Sequence, residues 1–488
     1  MLLKDLLLAL PDARLHSGAT GMEISSLCTD SRQVTAGSGF IAVKGTAVDG
    51  HNFIAQAVAQ GAAVIFAEYP VEVASGTTAL VVVSDTTQAS GLLADRFYEQ
   101  PSSQLRIVGV TGTNGKTTCA TLLYQLFTVL GYQAGLLSTV ENKIGDRTVP
   151  ATHTTPDPIS LHALLRTMVD AGCTHAFMEV SSHAVVQQRI AGVRFAGGVF
   201  TNITHDHLDY HGTFDAYIRA KKGFFDNLPK ESFALVNADD KRGGVMQQNT
   251  AAQKVTYSLR EPATFKAKVL ENGITGLVLQ IGSQEAHFRM IGIFNAYNLL
   301  AVYGAAVLLG EDKNNVLEAL TALSGAAGRF ETLRSPQTGI LGIVDYAHTP
   351  DALLNVLATI NQFRKEDQAV ITVVGCGGNR DAAKRPVMGM AACEHSTKAI
   401  FTSDNPRFEH PDVILTQMEA ELSASQQRKA LRIADRREAI RTACMLARPG
   451  DIVLVAGKGH ETYQEIEGVK HPFDDRQVLA ETFEQLAL

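Results

Sequence analysis

The segment that most constrains this chain is a glycine-rich turn between an apolar run and a helical pattern. The run 105–110 predicts a buried strand, and residues 117–130 predict a helix. The turn between them reads Gly-Thr-Asn-Gly-Lys-Thr-Thr over residues 112–118. In such a turn backbone N–H groups converge on phosphate oxygens, and the helix N-terminus adds positive potential. The segment therefore predicts an ATP-phosphate site in an α/β fold.

Two side chains of this turn have predicted roles. Lys116 is placed to reach the β- and γ-phosphates of ATP, and the hydroxyl of Thr117 is placed to bind Mg²⁺. The strict phosphate-loop pattern has a glycine five positions before Gly115, where this chain has Val110. The spacing alone therefore leaves open an ordinary strand-to-helix turn.

The chain's size and charge narrow the possible classes of function. With 488 residues it is too long for one core, and about three domains are expected. The net charge of −7 provides no basic field for nucleic acid or an anionic membrane.

Six scattered cysteines without a Cys-x-x-Cys pair favour reduced thiols. The first ten residues read as a short amphipathic helix rather than a signal peptide. We expect a cytoplasmic monomer that binds neither nucleic acid nor membrane.

Apolar strands alternate with helical periods along most of the chain. Predicted strands at 134–137, 175–180 and 198–202 follow the glycine-rich turn, with helices at 158–171 and 213–228. This alternation is typical of a mostly parallel, doubly wound sheet. A second alternating block begins near residue 340, after a stretch of successive strands at 252–291. We divide the chain into residues 1–99, 100–329 and 330–488.

Polar residues near the ends of the predicted central strands suggest a metal site. Glu179 ends one strand and can hold Mg²⁺, or it is simply a solvated strand end. The segment 201–212 contains His205, His207 and His211 with two aspartates. A dinuclear hydrolase pattern nearly fits, but Tyr210 breaks it. One imidazole beside a Mg²⁺ site, or polar groups that cap a turn, are the other interpretations.

Three turns in the last block follow predicted strands and carry complementary charges. Asp404-Asn-Pro-Arg407 presents a planar guanidinium suited to a carboxylate, and Arg380 offers a second one. The segment 457–461 ends in Glu461, which can receive an ammonium group. Together these turns predict a pocket for an amino acid.

These motifs together resemble the Mur ligases, the ATP-dependent enzymes that add amino acids in peptidoglycan synthesis. The resemblance spans almost the whole chain. It is carried by motifs at residues 29–32, 109–118, 153–156, 179–183, 204–212, 295–298, 328–331, 345–348, 404–407 and 457–461. It implies three α/β domains: an N-terminal uridine-nucleotide domain, a central doubly wound P-loop ATPase domain and a C-terminal Rossmann-like domain.

The resemblance also assigns roles to individual residues. The implied catalytic residues are Lys116, Glu179, His207 and Lys221, the last of which is carbamylated in this family although its spacing gives it no role. Two Mg²⁺ ions would bind through Thr117, Glu179, His207 and the CO₂-derived carbamate on Lys221. The implied ATP-binding residues are Gly112, Thr113, Asn114, Gly115, Lys116, Thr117, Thr118, Asn295, Asn298, Arg329 and Asp345. The implied UDP-muramoyl-dipeptide residues are Ser31, the region 44–50, Thr154, Thr155, Ser181, Gln187 and Arg189. The implied amino-acid residues are Arg380, Asp404, Asn405, Arg407, Gly457 and Glu461.

The implied reaction joins meso-2,6-diaminopimelate to UDP-N-acetylmuramoyl-L-alanyl-D-glutamate through an acyl phosphate. Members of the family that select diaminopimelate carry the Asp-Asn-Pro-Arg motif, and Arg407 suits the distal carboxylate that lysine lacks. Addition of lysine stays open as an alternative. Folylpolyglutamate synthesis, a nucleotide-dependent regulatory switch and a metal-dependent hydrolase are the remaining alternatives. The N-terminal block of about 100 residues and the Asp-Asn-Pro-Arg motif argue against the first, the amino-acid pocket against the second, and Tyr210 against the third.

Overall fold

The N-terminal part of the computed structural model is a small α/β unit. The structure describes residues 1–45, 48–73, 78–151, 154–206 and 208–486, with only the backbone of Leu208 and Asp209. A sheet of order β1-β5-β4-β3-β2 is parallel except for β1. Its strands are β1 (Arg14–Ser17), β2 (Ser26–Cys28), β3 (Ser38–Ile41), β4 (Val64–Ala67) and β5 (Ala79–Val82). Its α-helices are α1 (Leu3–Leu6), α2 (Ile54–Ala59) and α3 (Thr86–Phe97), with 3₁₀ turns at Leu7–Ala9, Ser31–Gln33, Gly50–Phe53 and Pro101–Ser103.

The central part contains a large mixed sheet. Its strands are β6 (Arg106–Thr111), β7 (Ala134–Leu137), β8 (Asn142–Ile144), β9 (Arg147–Val149), β10 (His175–Glu179), β11 (Phe195–Phe200), β12 (Phe233–Asn237), β13 (Gln253–Ser258), β14 (Phe265–Gly273), β15 (Gly276–Ile281) and β16 (Gln284–Phe288). The helices are α4 (Lys116–Val129), α5 (Pro158–Asp170), α6 (Ser182–Val186), α7 (Leu208–His211), α8 (Phe214–Asp226), α9 (Gly243–Met246), α10 (Ile293–Leu308) and α11 (Lys313–Ala322). Parallel pairing joins seven neighbouring strands of this sheet, in the order β7, β10, β6, β11, β12, β13 and β14.

The C-terminal part has a second doubly wound sheet, of order β17-β18-β22-β19-β20-β21. The strands are β17 (Glu331–Arg334), β18 (Leu341–Asp345), β19 (Val370–Val374), β20 (Lys398–Phe401), β21 (Ala430–Arg432), β22 (Ile452–Ala456) and a separate hairpin of β23 (Tyr463–Ile466) and β24 (Val469–Pro472). The helices are α12 (Pro350–Phe363), α13 (Lys384–His395), α14 (Pro411–Glu419), α15 (Ala424–Gln427), α16 (Arg436–Leu446) and α17 (Asp475–Gln485). Within the six-stranded sheet, all described over its length, the edge strand β17 pairs antiparallel to β18 and the other neighbouring strands pair in parallel.

Each of the two larger sheets has a hydrophobic core on both faces. In the central sheet, α4 and α10 pack on one face and α5 and α8 on the other. In the C-terminal sheet, α12 and α13 cover one face and α16 and α17 the other. This arrangement confirms the predicted doubly wound α/β architecture. It also brings the carboxyl ends of the parallel strands to one edge of each sheet, where ligands bind in such folds.

The most visible error of the sequence-based prediction is strand β11. It was expected at 198–202, but it runs from Phe195 to Phe200 because two glycines inside it do not interrupt the strand. A Cβ atom at Gly197 would lie 2.2 Å from the ring of Phe233, and one at Gly198 would lie 2.8 Å from the ring of Phe224. The glycines are therefore needed for packing, although glycine is depleted in strands.

No helix in the described ranges combines the length and apolar character needed to cross a membrane.

Candidate active site

A single cavity of about 840 Å³ runs from the glycine-rich turn to the turns of the C-terminal sheet. Its walls include most of the predicted ATP, muramoyl-peptide and amino-acid residues. The predicted residues among the described ones that do not line it are Ser31, the described part of the region 44–50, Gly112, Gln187 and Asn295. His207, a predicted catalytic and metal-binding residue, lies outside the described residues.

The glycine-rich turn explains the irregular glycine spacing. Val110 is fully buried in β6, which continues to Thr111, so the loop itself begins at Gly112. A Cβ atom on Gly112 would lie 1.9 Å from the Thr201 hydroxyl. Gly115 has φ of +88° and precedes the first residue of α4. Both glycines are therefore required by close packing or by backbone conformation, and Val110 belongs to the strand.

Two lysines converge on the carbonyl of Gly112. The Nζ of Lys116 donates to the carbonyls of Gly112 at 2.9 Å and Thr113 at 2.8 Å, while the Nζ of Lys221 donates to Gly112 at 2.8 Å. Burial lowers the pKa of Lys116. Burial, and then the neighbouring Lys116 cation, hold the pKa of Lys221 well below its usual range. Lys221 is thus an amine of reduced basicity, in contrast to a solvated lysine.

Glu179 forms the acidic wall of the site. Its Oε1 accepts hydrogen bonds from the Thr117 hydroxyl at 2.9 Å and from the Thr139 N–H at 2.7 Å. Its Oε2 is buried and has no hydrogen-bond partner among the described residues. A buried carboxylate oxygen without a partner is costly unless a cation satisfies it. The carboxylate and the Thr117 hydroxyl are oxygen donors of the type that Mg²⁺ prefers, so these residues fit the implied ion.

Arg329 links the C-terminal sheet to the phosphate loop. Its guanidinium lies 4.3 Å from the centre of the Tyr346 ring, and its Nη2 donates to the Thr117 hydroxyl at 3.1 Å. Burial raises the pKa of the nearby Asp345 to about 6, although Arg329 opposes this shift. The Asp345 carboxylate accepts the N–H of Phe330 at 2.7 Å. Residues of both sheets therefore enclose the same end of the cavity.

The two predicted nucleotide asparagines differ in position. Asn298 lines the cavity, and its Nδ2 donates to the Oδ1 of Asn295 at 3.1 Å. Asn295 is buried and donates to the carbonyl of Ile291 at 2.8 Å. Asn295 thus holds Asn298 in place rather than facing the cavity.

The predicted amino-acid turns meet at the other end of the cavity. Asn405 donates to the Oε2 of Glu461 at 2.8 Å, and the buried Nζ of Lys458 donates to both of them at 2.9 Å. Nε of Arg407 lies 3.4 Å from the Oε2 of Glu465, and its Nη1 donates to the Gly378 carbonyl at 2.9 Å. The pocket therefore contains both signs of charge.

Asp404 has a buried oxygen of its own in this pocket. Its Oδ1 accepts the N–H of Asn405 at 2.7 Å, whereas its Oδ2 is buried and has no hydrogen-bond partner in the described part of the chain. A Cβ atom on Gly457 would lie 2.7 Å from that Oδ2. Only a glycine leaves this carboxylate room.

The predicted muramoyl-peptide residues form a hydrogen-bonded group beside Glu179. Arg189 donates to the carbonyl of Thr155 at 2.7 Å and to the Oε1 of Gln187 at 2.9 Å. Thr154 accepts from the Thr139 hydroxyl at 3.1 Å, and Ser181 caps α6. Gln187 thus supports Arg189 from outside the cavity wall.

Ser31 lies apart from this group, in the N-terminal unit. Its hydroxyl donates to the Oε1 of Gln56 at 3.0 Å. Part of the predicted uridine region, residues 46 and 47, is outside the described residues.

The histidine-rich segment does not form a metal cluster in the described part of the chain. No group of three or more His, Cys, Asp or Glu side chains suited to a metal occurs there. His205 stacks edge-on against Phe214, and the Nε2 of His211 lies 2.9 Å from the Ser182 hydroxyl. These two histidines have structural partners, whereas Asp206 lines the cavity.

Sequence reasoning missed two residues of the cavity wall and its supports. Lys458 was given no role, yet it is fully buried between Asn405 and Glu461; its position directly after the apolar strand β22 was the available signal. Asp351, at the start of α12, accepts from the Asn114 side chain at 2.9 Å and ties the C-terminal sheet to the phosphate loop. No motif marked Asp351.

Comparison with known proteins agrees with this geometry. Three family models match: "Mur ligase family, catalytic domain" at residues 23–98, "Mur ligase middle domain" at 110–306 and "Mur ligase, glutamate ligase domain" at 328–459. The UDP-N-acetylmuramoyl-L-alanyl-D-glutamate–2,6-diaminopimelate ligase of Cytophaga hutchinsonii is 59% identical over 96% of both chains. The enzyme of that name from Parabacteroides distasonis is 55% identical over 99% of both chains.

Solved structures agree over the same length. A structure of a UDP-N-acetylmuramoyl-L-alanyl-D-glutamate–2,6-diaminopimelate ligase matches with a TM-score of 0.71 and 32% identity over 100% of both chains. An ADP complex of a related ligase from Thermotoga maritima has the same fold, with a TM-score of 0.63 at 18% identity over 95% of this chain and 97% of that one. The chain therefore belongs to the Mur ligase family and is an ATP-dependent ligase.

Proposed function

We propose that this enzyme joins diaminopimelate to UDP-N-acetylmuramoyl-L-alanyl-D-glutamate, with ATP as the energy source. The observation that carries the proposal is the cavity, which both the phosphate loop and the turn of Arg407 line. The relatives that are more than half identical over nearly the whole chain are named for this reaction. Structures of folylpolyglutamate synthases are only 17% identical and share the fold alone.

The reaction needs an activated carboxyl group, because a carboxylate is a poor electrophile. In the proposed mechanism the γ-phosphoryl group of ATP passes to the D-glutamyl carboxylate and gives an acyl phosphate. The amine of diaminopimelate then attacks the acyl carbon, and phosphate leaves from the tetrahedral intermediate. As in phosphoryl transfer generally, the protein contributes positioning and charge neutralisation.

The residues at the loop end would orient the phosphates. Lys116 now donates to two loop carbonyls, and its ammonium would exchange them for phosphate oxygens when ATP binds. Arg329, held against Tyr346 beside Thr117, adds a second cation from the C-terminal sheet. Because both sheets contribute, closing them around the substrates would exclude water from the acyl phosphate.

Magnesium would bind through the Thr117 hydroxyl, the Glu179 carboxylate, His207 and a carbamate on Lys221. When bound, it would neutralise negative charge on the transferred phosphoryl group. The low basicity of Lys221 supports the carbamate, since only an unprotonated amine adds to CO₂. Carbamylation would convert this cation into an anionic oxygen donor.

At the other end, Arg407 and Arg380 would bind the distal carboxylate of diaminopimelate. Glu461, Asn405 and Asp404 would receive its ammonium group. Lysine has no second carboxylate, so the half-buried Arg407 guanidinium would lack a ligand carboxylate. Losing one partner of a charge pair that substrate binding desolvates costs about 2–5 kcal/mol, which supports strong discrimination.

The test of the activation step is chemical trapping. We expect the enzyme, given ATP, Mg²⁺ and the muramoyl-dipeptide but no amino acid, to form a species that hydroxylamine converts to a hydroxamate. Rapid ADP release with no dependence on diaminopimelate and no trapped hydroxamate would contradict the acyl-phosphate scheme.

A further inference from the structure

Two turns of the C-terminal sheet carry the pocket arginines and touch each other along their backbones. The turn after β19 carries Arg380, and the turn after β20 carries Arg407. The N–H of Gly378 donates to the Asn405 carbonyl at 2.9 Å, and Nη1 of Arg407 donates back to the Gly378 carbonyl at 2.9 Å. A Cβ atom on Gly378 would lie 1.9 Å from the Pro406 carbonyl oxygen. The two turns thus fix the spacing of the backbone segments that carry the two arginines.

An ion pair between the buried Arg385 and the partly exposed Glu409 joins these turns. Arg385, whose side chain is 1% exposed, donates to both carboxylate oxygens of Glu409 at 2.8 and 2.9 Å. The same guanidinium donates to the Gly377 carbonyl at 3.1 Å and to the Gln417 side chain at 2.6 Å. Glu409 in turn accepts the backbone N–H of Asn379. The pair therefore contacts the backbone of the turn after β19, at Gly377 and Asn379. Its other member, Glu409, is itself part of the segment that follows β20.

The backbone of both turns needs such support. Asn379 has φ of +52° and Arg407 has φ of +53°, in the left-handed region that residues other than glycine rarely adopt. Such conformations persist only where the surrounding structure holds them. Hydrogen bonds from Arg385, and then the Asn379 N–H, hold the pKa of the Glu409 carboxyl below its usual range. The carboxylate therefore stays ionised and paired.

Neither member of the pair lines the cavity. We propose that Arg385 and Glu409 are positioning residues that set the spacing of Arg380 and Arg407 and thereby the preference for an amino acid with two carboxylates. This inference rests on the proposed function. A small displacement of binding groups is enough to weaken recognition strongly, because two arginines must meet one ligand at the same time.

The experiment compares Glu409→Gln with the wild-type enzyme. The amide keeps the shape but removes the charge. We expect the KM for diaminopimelate to rise about tenfold and the preference for diaminopimelate over lysine to fall by a similar factor. The KM for ATP should stay at its wild-type value, because the phosphate loop is at the other end of the cavity. Arg385→Lys keeps the charge but loses the two-pronged contact, so it should change the same constants in the same direction.

The matched control is Glu419→Gln, the same chemical change at a carboxylate 3.4 Å from Arg432 on the surface of the same domain. It should leave both KM values and the preference unchanged. The double variant Arg385→Met, Glu409→Leu replaces the pair with apolar groups and so retains a folded domain. It should still show the weakened preference, since the tie to Gly377 and Asn379 is lost.

Thermal denaturation of every variant separates positioning from stability. If Glu409→Gln and the double variant lower the midpoint but keep the wild-type KM and preference, the pair is only structural and the proposal is wrong. A wild-type enzyme that does not use diaminopimelate would instead overturn the proposed function, and this inference with it.

Discussion

The two ends of the cavity are built in different ways. The phosphate end is centred on one short segment, in which Gly112, Gly115, Lys116 and Thr117 are near neighbours, and Glu179, Lys221 and Arg329 join it from distant parts of the chain. The amino-acid end is assembled from three turns after separate strands, and contacts such as the Arg385–Glu409 ion pair join them. The phosphate end thus contains a local sequence motif, whereas the amino-acid end depends on long-range packing alone. Substitutions at the first end should affect every substrate, and those at the second should change substrate choice.

The largest effect is expected at Lys221. Its neighbour Lys222 is a matched control, because that side chain pairs with Asp226 at 2.6 Å outside the cavity. Lys221→Met should lower kcat by about 10³-fold with any amino acid. The Mg²⁺ that would neutralise the transition-state charge would lose an anionic ligand, the carbamate on Lys221. Lys222→Met should keep kcat within about threefold of wild type, because Lys222 pairs with Asp226 outside the cavity and does not face the transition-state charge.

Labelled bicarbonate provides a readout of Lys221 that does not depend on turnover. A ¹³C carbamate signal is expected in the wild-type enzyme and in Lys222→Met but not in Lys221→Met. A wild-type enzyme that is fully active without the signal would contradict the carbamate.

A substitution at Arg407 should change the choice of amino acid without changing the binding of ATP. Arg407→Ala should reduce the preference for diaminopimelate over lysine by about 30- to 100-fold, because a desolvated charge pair is lost. The KM for ATP should not change. Competition assays with both amino acids measure the ratio, and Arg432→Ala on the surface of the same domain serves as the control. An unchanged ratio would show that Arg407 does not select the substrate.

Arg329 tests whether the phosphate end is shared between the sheets. Arg329→Ala removes the contact with Thr117 and the packing on Tyr346. We expect kcat/KM for ATP to fall about tenfold, in line with loss of one charged contact. Unchanged turnover would mean that the central sheet binds ATP without the C-terminal one.

The smallest effect on catalysis is expected at His175, which does not line the cavity, and the prediction there concerns stability. Burial lowers the pKa of His175 to about 4, so the unfolded chain binds a proton more readily than the folded one. The free energy of unfolding should therefore fall as the pH decreases from about 6.5 to 4, by up to about 3 kcal/mol from this group. Chemical denaturation of His175→Phe across this range should show a shallower pH dependence. An equal slope in both proteins would contradict the assignment to His175.

Local pattern was enough to predict much of the fold and of the phosphate end. Strand β7 has the predicted bounds and helix α4 differs from its predicted bounds by one residue at each end, because apolar periodicity and flanking turns marked them. Strand β12 was not predicted, and β11 was misplaced because its glycines serve contacts with distant phenylalanines. Lys458 and Asp351 were missed for a similar reason. Their roles arise where segments far apart in the chain meet, and no local spacing encodes that meeting.

The most direct test of the proposed reaction is to measure the mass of its product. The enzyme is incubated with ATP, Mg²⁺ and UDP-N-acetylmuramoyl-L-alanyl-D-glutamate, with diaminopimelate and lysine present at equal concentration. We predict a product with the mass of the diaminopimelate adduct, formed together with ADP and phosphate, and little lysine adduct. A predominant lysine adduct would contradict the assigned role of Arg407, and the absence of any amide product would contradict the proposed function.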